Sequence, residues 1–489
     1  MWITDFLRKV VRTLFPKAGI EKALGRQIAV SEKMQAAIQL WDDMYKDVPN
    51  WKDENCKTMN LPSAIAHEFA RLITLENEIN VSGSPFADYL NEQLQYALKD
   101  FNNTVEMFCA KGGIAMKPYV NGDRIEVDFT QAESFFPTDY ANKKITGAIF
   151  LDTYRSQKYL YTRLEIHSFK ENQTLRTDDG ELIQTNIYTV ENRCYRSEPL
   201  MTYTSDDSAQ VNANEPFKQE VPLSEVPQWA TLERMVTIQD VEKPLFVYVR
   251  VPAANNVDTK SPLGASVYAR AVDAIKDADK QYTETRFEYE AFEAAIDADE
   301  DLFKRTKDGK PILPTGKERV FRSYETRMQD GSNTFLREFA PAFRDSSLFN
   351  GLDHYLKIVE FLCELAYGTI SDPSSVEKTA TEIMTSKQRS YSAVSNMQAA
   401  LEEGITDLVY AMSVYANLYG LAPYGNYELS ATWGDGVLED SDREFQRRWA
   451  MVVAGKYKPE KFYAWYFGCT EEEAKEMIPE NQGLLPEFE

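Results

Sequence analysis

Three histidines, five cysteines and a set of opposite charge runs are the residues of this 489-residue chain with chemistry to offer. His67, His167 and His354 fall on a helical, a strand-like and a helical pattern, with no HxxxH or HExxH spacing. They read as surface or hydrogen-bonded core residues, not as metal ligands or bases. Cys56, Cys109, Cys194, Cys363 and Cys469 form no CxxC pair and are odd in number, the pattern of free thiols in a reducing compartment. Gly309 to Lys317 resembles a phosphate loop only superficially. Six residues separate Gly309 from Gly316 where such a loop has four, and Glu318 stands where Ser or Thr is needed. No G-x-S-x-G nucleophile elbow occurs. The sequence offers no catalytic residue, no metal ligand set and no cofactor site, so the chain reads as a non-enzyme.

The charge runs are more informative. Phe287 to Asp301 carries Glu288, Glu290, Glu293, Asp297, Asp299, Glu300 and Asp301 and no Lys or Arg. Such a cluster can hold a hard cation, but on a helix it is more simply a solvated face. The next segment is basic: Lys304, Arg305, Lys307, Lys310, Lys317, Arg319, Arg322 and Arg327 against Asp308, Glu318 and Glu325. Adjacent opposite blocks at the tip of a helical hairpin suit head-to-tail contact between identical subunits.

The elements that position these runs follow from periodicity. The first hundred residues are helical in pattern, with a basic start from Met1 to Lys33 that reads as a surface helix packed on its own fold rather than a membrane-touching one. From about Gly113 the period becomes two. Asn121-Gly122 between Met116–Val120 and Arg124–Phe129 predicts a hairpin centred on that pair. Strands are predicted over Ile145–Tyr154, Tyr159–Phe169, Leu182–Val190 and Leu245–Val251, with a long loop between Ser205 and Pro227. Pro262 to Asp297 then predicts one helix of about 54 Å. Its apolar stripe runs from Val267 through Ala271, Ala274, Ala278 and Tyr282 to Ile296. Asp273, Asp277, Glu284 and Glu288 lie on a neighbouring face. A second apolar helix is predicted over Asp345–Tyr367. The loop Gly368, Thr369, Ile370, Ser371, Asp372, Pro373, Ser374 and Ser375 follows, ended on one side by Gly368 and on the other by Asp372-Pro373. Its small and polar residues have little to bury, so it is mobile unless a neighbour holds it. A long third helix runs to about Tyr419 from the capping box Thr379-x-x-Glu382.

The bulk properties bound the reading. Length suggests about three domains. The formal charge of −23 and pI near 4.8 make the chain a poor general binder of phosphate backbones. Hydrophobic content of 43% argues against wholesale disorder. No run reaches the ~18 apolar residues of a membrane span, and Met1–Phe15 lacks the apolar stretch of a secretory signal.

The order of these elements resembles the portal (head–tail connector) proteins of tailed double-stranded DNA bacteriophages, especially those of Gram-positive hosts. The wording that carries the resemblance is Val48-Pro49-Asn50-Trp51 before Ile65-Ala66 and Phe69-Ala70-Arg71-Leu72, then Pro252-Ala-Ala-Asn-Asn before Ser261-Pro-Leu-Gly-Ala-Ser-Val-Tyr. Thr379-Ala-Thr-Glu-Ile383 and Gly468-Cys-Thr-Glu-Glu-Glu-Ala474 complete it. The resemblance implies an α+β portal fold: a wing over 1–261, a stem helix over 262–298 and a clip over 299–343. A second stem helix over 344–367, a tunnel loop over 368–378, a long wing helix with a closing strand over 379–436 and a helical crown over 437–489 complete it. It implies a ring, usually a dodecamer, at one capsid vertex, through which DNA is packaged and ejected. Terminase, capsid and scaffolding proteins and a head–tail adaptor would be its partners, with no membrane. The acidic face Asp273, Asp277, Glu284 and Glu288 would border the channel or else form the solvated outside of the stem. The implied tunnel loop contains no Lys or Arg, so no ion pair with phosphate is expected there. The rival readings are a metal-dependent hydrolase built on the acidic clusters and a cytosolic scaffold that forms no ring.

Overall fold

A computed structural model describes residues 17–156, 158–176, 182–197, 217–291, 295–299, 321–324, 336–339, 345–372, 380–434 and 441–467, with 470, 474–475 and 477. The amino-terminal part is helical, as its periodicity predicts. Helices α1 (Glu32–Tyr45), α2 (Leu61–Thr74), α3 (Pro85–Ala97) and α4 (Phe101–Lys111) bury Met34, Trp41, Ile65, Phe69, Phe86, Leu90, Val105 and Phe108 in one core. Ser31 caps α1 and Ser84 caps α3, each hydroxyl accepting a backbone N–H three residues on.

The β-rich part holds two antiparallel sheets. The first orders β10 (Val247–Arg250), β2 (Gly113–Asn121) and β3 (Arg124–Gln131). The second runs β4 (Phe135–Ala141), β5 (Lys144–Arg155), β6 (Leu160–Arg176), β7 (Leu182–Arg196) and β8 (Gln219–Val221), with β9 (Met235–Gln239) also paired to β7. The β2–β3 hairpin forms where expected, but its register pairs Asn121 with Arg124. The two central residues are therefore Gly122 and Asp123, and only Gly122 has positive φ, +66°. Glycine at the first central position, not an Asn-Gly pair, makes this turn. The β4–β5 turn carries the double positive-φ signature at Asn142 and Lys143, +48° and +64°. The segment expected as a loop from Ser205 lies outside the described residues up to 216, and beyond it contains β8.

The first long helix is shorter than its periodicity predicts. Helix α5 spans Val272–Ala291. Residues before it form tight turns because their donors are spent elsewhere: Val267 N–H and Ser266 Oγ bond the Cys109 carbonyl at 3.1 and 3.4 Å. Past Ala291 the chain re-enters as strand β11 (Ala295–Asp299), between β12 (Phe321–Tyr324) and β13 (Leu336–Phe339). Asp297 and Asp299 thus stand on a strand and not on the helical face assigned to them from sequence.

Helix α6 (Asp345–Leu362) also stops short of Tyr367. Glu364 adopts φ +64°, and Leu365 N–H reaches back to the Glu360 carbonyl at 2.9 Å, which closes the helix end with a non-glycine residue. Helix α7 (Ala380–Tyr419) has the expected length, and Val394, Leu401, Ile405, Leu408 and Met412 of its expected apolar face are buried. Thr379 of the capping box lies outside the described residues. Strand β14 (Glu428–Thr432) returns to pair antiparallel with β1 (Glu78–Ser82), which ties the end of the long helix to the amino-terminal helices. Two further helices, α8 (Ser441–Val453) and α9 (Pro459–Phe467), pack through Phe445, Trp449, Phe462 and Tyr466.

Candidate functional site

Helices α5 and α6 lie against each other, with Tyr289 and Phe349 rings 6.3 Å apart. Ala271, Ile275, Ala278, Thr285 and Val359 are buried around this pair. Of the acidic row expected on α5, Asp273 and Glu284 are exposed, and Asp277, partly exposed, meets Lys280 at 3.1 Å. Glu288 is not on that face: it is 3% exposed. At 3.6 residues per turn, the row from Asp273 to Glu288 rotates about 60° around the helix axis, and the drift carries its last member onto the packed side.

One buried acid on α5 escaped the sequence reading. Asp279 is 2% exposed and accepts hydrogen bonds from Trp51 Nε1 and Met59 N–H, both at 2.9 Å. One turn on, Thr283 Oγ1 accepts from Lys57 N–H at 2.8 Å. Burial pushes the Asp279 carboxyl above its ordinary value, against the pull of these two donors. Together the contacts pin the strap between α1 and α2 to α5. Trp51, quoted above for the resemblance, is the strap's anchor.

After α6 the chain turns back along the same helix. Gly368, at φ +87°, begins the return. Glu360, with no exposed surface, accepts from Gly368 N–H at 3.0 Å, Ile370 N–H at 2.7 Å, Ser371 N–H at 2.9 Å and Ser371 Oγ at 2.8 Å. Two turns earlier on α6, Asp353 accepts from Asp372 N–H at 3.0 Å and pairs with Lys357 at 2.6 Å. Ile370 packs on the core and Ser371 is buried, while Thr369 and Asp372 are exposed. The described part of the expected loop, Gly368–Asp372, is therefore held by the helix before it. Pro373, Ser374 and Ser375 lie outside the described residues. Arg389 of α7 sits over the rings of Phe361 and Tyr367 at 4.9 and 5.5 Å, beside this turn. No sequence signal marks Glu360, since its partners are backbone groups and one hydroxyl of a turn that only Gly368 announces.

Of the basic block, Lys304, Arg305, Lys307, Lys310, Lys317 and Arg319 lie outside the described residues. Arg322 stands on β12 in register with Asp297 of β11, and Arg337 of β13 is in register with the same Asp297. One residue of the acidic run and one of the basic block thus stand on neighbouring strands of one small sheet.

The histidines separate by environment. His67 is exposed beside Glu106, and His354 is exposed on α6. His167 is buried in the second sheet, its Nδ1 against the Tyr188 hydroxyl and its Nε2 2.9 Å from Glu165. Glu165 also meets Lys117 at 2.6 Å and Arg163 at 3.1 Å. Burial works to raise the Glu165 carboxyl, but Lys117, His167 and Arg163 hold it well below its usual range. This cluster is a buried core network, and His167 is a hydrogen-bonded core residue, one of the two readings its spacing allows; Arg163 Nε is buried in it without a hydrogen-bond partner among the described residues. Among the described residues no group of three or more His, Cys, Asp or Glu is placed to hold a metal ion, and no helix is long and apolar enough to cross a membrane.

The search of curated proteins finds no match for the sequence. Among solved structures, "Virion of native gene transfer agent (GTA) particle" aligns with 84% of this chain and 88% of its own, at 9% identity and a TM-score of 0.35. The sequence matches the family described as "Phage portal protein, SPP1 Gp6-like" over residues 93–484, which takes in both sheets, the helix pair, the small sheet and the long helix. The chain therefore belongs to the SPP1 Gp6-like family of phage portal proteins.

Proposed function

We propose that this chain forms a closed ring at one capsid vertex, the channel through which double-stranded DNA is packaged and later ejected. Family membership over residues 93–484 is the observation that carries the reading. The paired helices α5 and α6, with a three-stranded sheet beyond them, supply its stem and clip. The role is structural, with hydrolysis left to a separate motor. Terminase, and afterwards a head–tail adaptor, would dock on the clip around Lys304, Arg305, Lys307, Lys310, Lys317, Arg319 and Arg322. Capsid and scaffolding proteins would hold the ring, first in the host cytoplasm and then in the virion.

The physics of a conduit fits the charge. DNA in transit must not adhere, and a chain of formal charge −23 repels phosphate over most of its surface. Asp273, Asp277 and Glu284 supply that repulsion where α5 borders the channel. The segment Gly368–Ser375 narrows it as the tunnel loop, acting by bulk and by backbone or hydroxyl contacts. Native mass spectrometry of the purified protein is the direct test. A single large closed oligomer, in the range of a dodecamer, is the expected result; a monomer or dimer at all concentrations and salts would overturn the reading.

A further inference from the structure

The return along α6 assigns Glu360 a part of its own. A carboxylate with no exposed surface is costly to bury unless every oxygen is satisfied. Here the satisfaction is local. Among the described residues all its hydrogen-bond donors lie within Gly368–Ser371: three backbone N–H groups and one hydroxyl. Successive N–H groups curved around an anion form a nest, and this nest is filled by the chain's own side chain. Opening the turn would strand a buried charge, so turn and helix open together or not at all. Asp353 extends the same device two turns back, through the Asp372 N–H.

We propose that Glu360 is a positioning residue that holds Gly368–Asp372, the first part of the tunnel loop, rigid against the second stem helix, and so fixes where the rest of the loop departs from it. The proposal rests on the tunnel-loop reading above for its role in transport, but the anchor itself is testable without it. It also reassigns Ile370. That side chain packs on the core, so bulk added there acts on the stem's packing and not on the channel.

Amide hydrogen exchange on the full-length protein reads the anchor directly. In the wild type, the amides of Gly368, Ile370 and Ser371 should exchange about a hundredfold or more slower than an open chain. In Glu360→Gln, which keeps one acceptor oxygen and turns a donor toward the nest, they should exchange about tenfold to a hundredfold faster, with α5 unchanged. Unprotected amides in the wild type, or equal rates in the two proteins, would overturn the proposal. Should Glu360→Gln fail to fold, Ser371→Ala removes the hydroxyl's bond to Glu360 and the second acceptor it offers Gly368 N–H at 3.2 Å, and leaves the three backbone bonds to the carboxylate. It should speed the Ser371 amide by about threefold or more, and no change there would count equally against the anchor. Ring mass and DNA packaging, measured on the same variant, test the other reading. Faster exchange with normal packaging would keep the anchor and remove the loop's role in transport. Unchanged exchange removes the anchor whatever packaging does.

Discussion

Glu165 shows how much a single side chain is asked to hold. Lys117, Arg163 and His167 converge on it inside the second sheet. Removing one partner of a buried ionic network typically costs about 3 kcal/mol, because the others are left uncompensated. Glu165→Gln should therefore lower the unfolding free energy by about that amount in urea titrations; an unchanged value would show that the network contributes nothing to stability. The same cluster sets a pH dependence. Burial lowers the His167 pKa below its usual 6.5, against the pull of Glu165. The unfolded chain then binds more protons than the folded one, so this contribution is complete above about pH 6.5 and is lost as pH falls below it. Glu165, held well below 4.5, adds a second loss on further acidification. Unfolding midpoints between pH 8 and 5 should fall with acidification in the wild type and more weakly in His167→Gln; equal slopes would remove His167 as the cause.

At the scale of elements, the meeting of α4 with the segment before α5 is the tightest joint. Gly112 ends α4 at φ +81°, and a Cβ there would stand 2.5 Å from the Ala265 carbonyl carbon. A Cβ on Gly264 would stand 2.1 Å from the Gly112 carbonyl oxygen. Both obstacles are backbone, which cannot swing aside. Gly264→Ala should destabilise the chain by about 3 kcal/mol, seen as a lower thermal midpoint; a wild-type midpoint would show that the joint opens freely. This joint explains why Ser261–Tyr268 is legible as a motif while its residues from Pro262 on are read from sequence as helix. Its small residues do carry helical spacing, but they serve a backbone-to-backbone approach. The same limit applies to Ala295–Asp299. Alanine and aspartate continue the pattern of α5, and only pairing with β12 and β13, far along the chain, makes the segment a strand. The β2–β3 hairpin and α7 were legible because their signals are local and repeated. Asp279 and Glu360 were not, because a buried acid and a surface acid look alike until their donors, from Trp51 and from the 368–371 turn, are in place.

For the whole molecule, the distribution of charge matters more than its sum. The acidic face of α5 reduces to Asp273, Asp277 and Glu284 once Glu288 is found buried. Reversing those three to Lys, and leaving Glu288 alone, should keep the ring intact by sedimentation and slow DNA passage about tenfold or more through added attraction to phosphate, most strongly at low salt. Normal packaging and ejection rates would place this face outside the channel. Along the backbone of the small sheet, Asp297 stands in register with Arg322 and Arg337 of the same chain.

The direction of the return along α6 has a mechanical consequence. Its bonds are laid out in sequence along the helix, Asp353 to Asp372 at one end and Glu360 to Gly368, Ile370 and Ser371 behind it. A force that lifts Asp372 away from the helix meets these bonds one at a time and peels them. A force along the helix axis loads all of them at once, in shear, as parallel fibres of one strap. The joint is strong along one axis and weak across it.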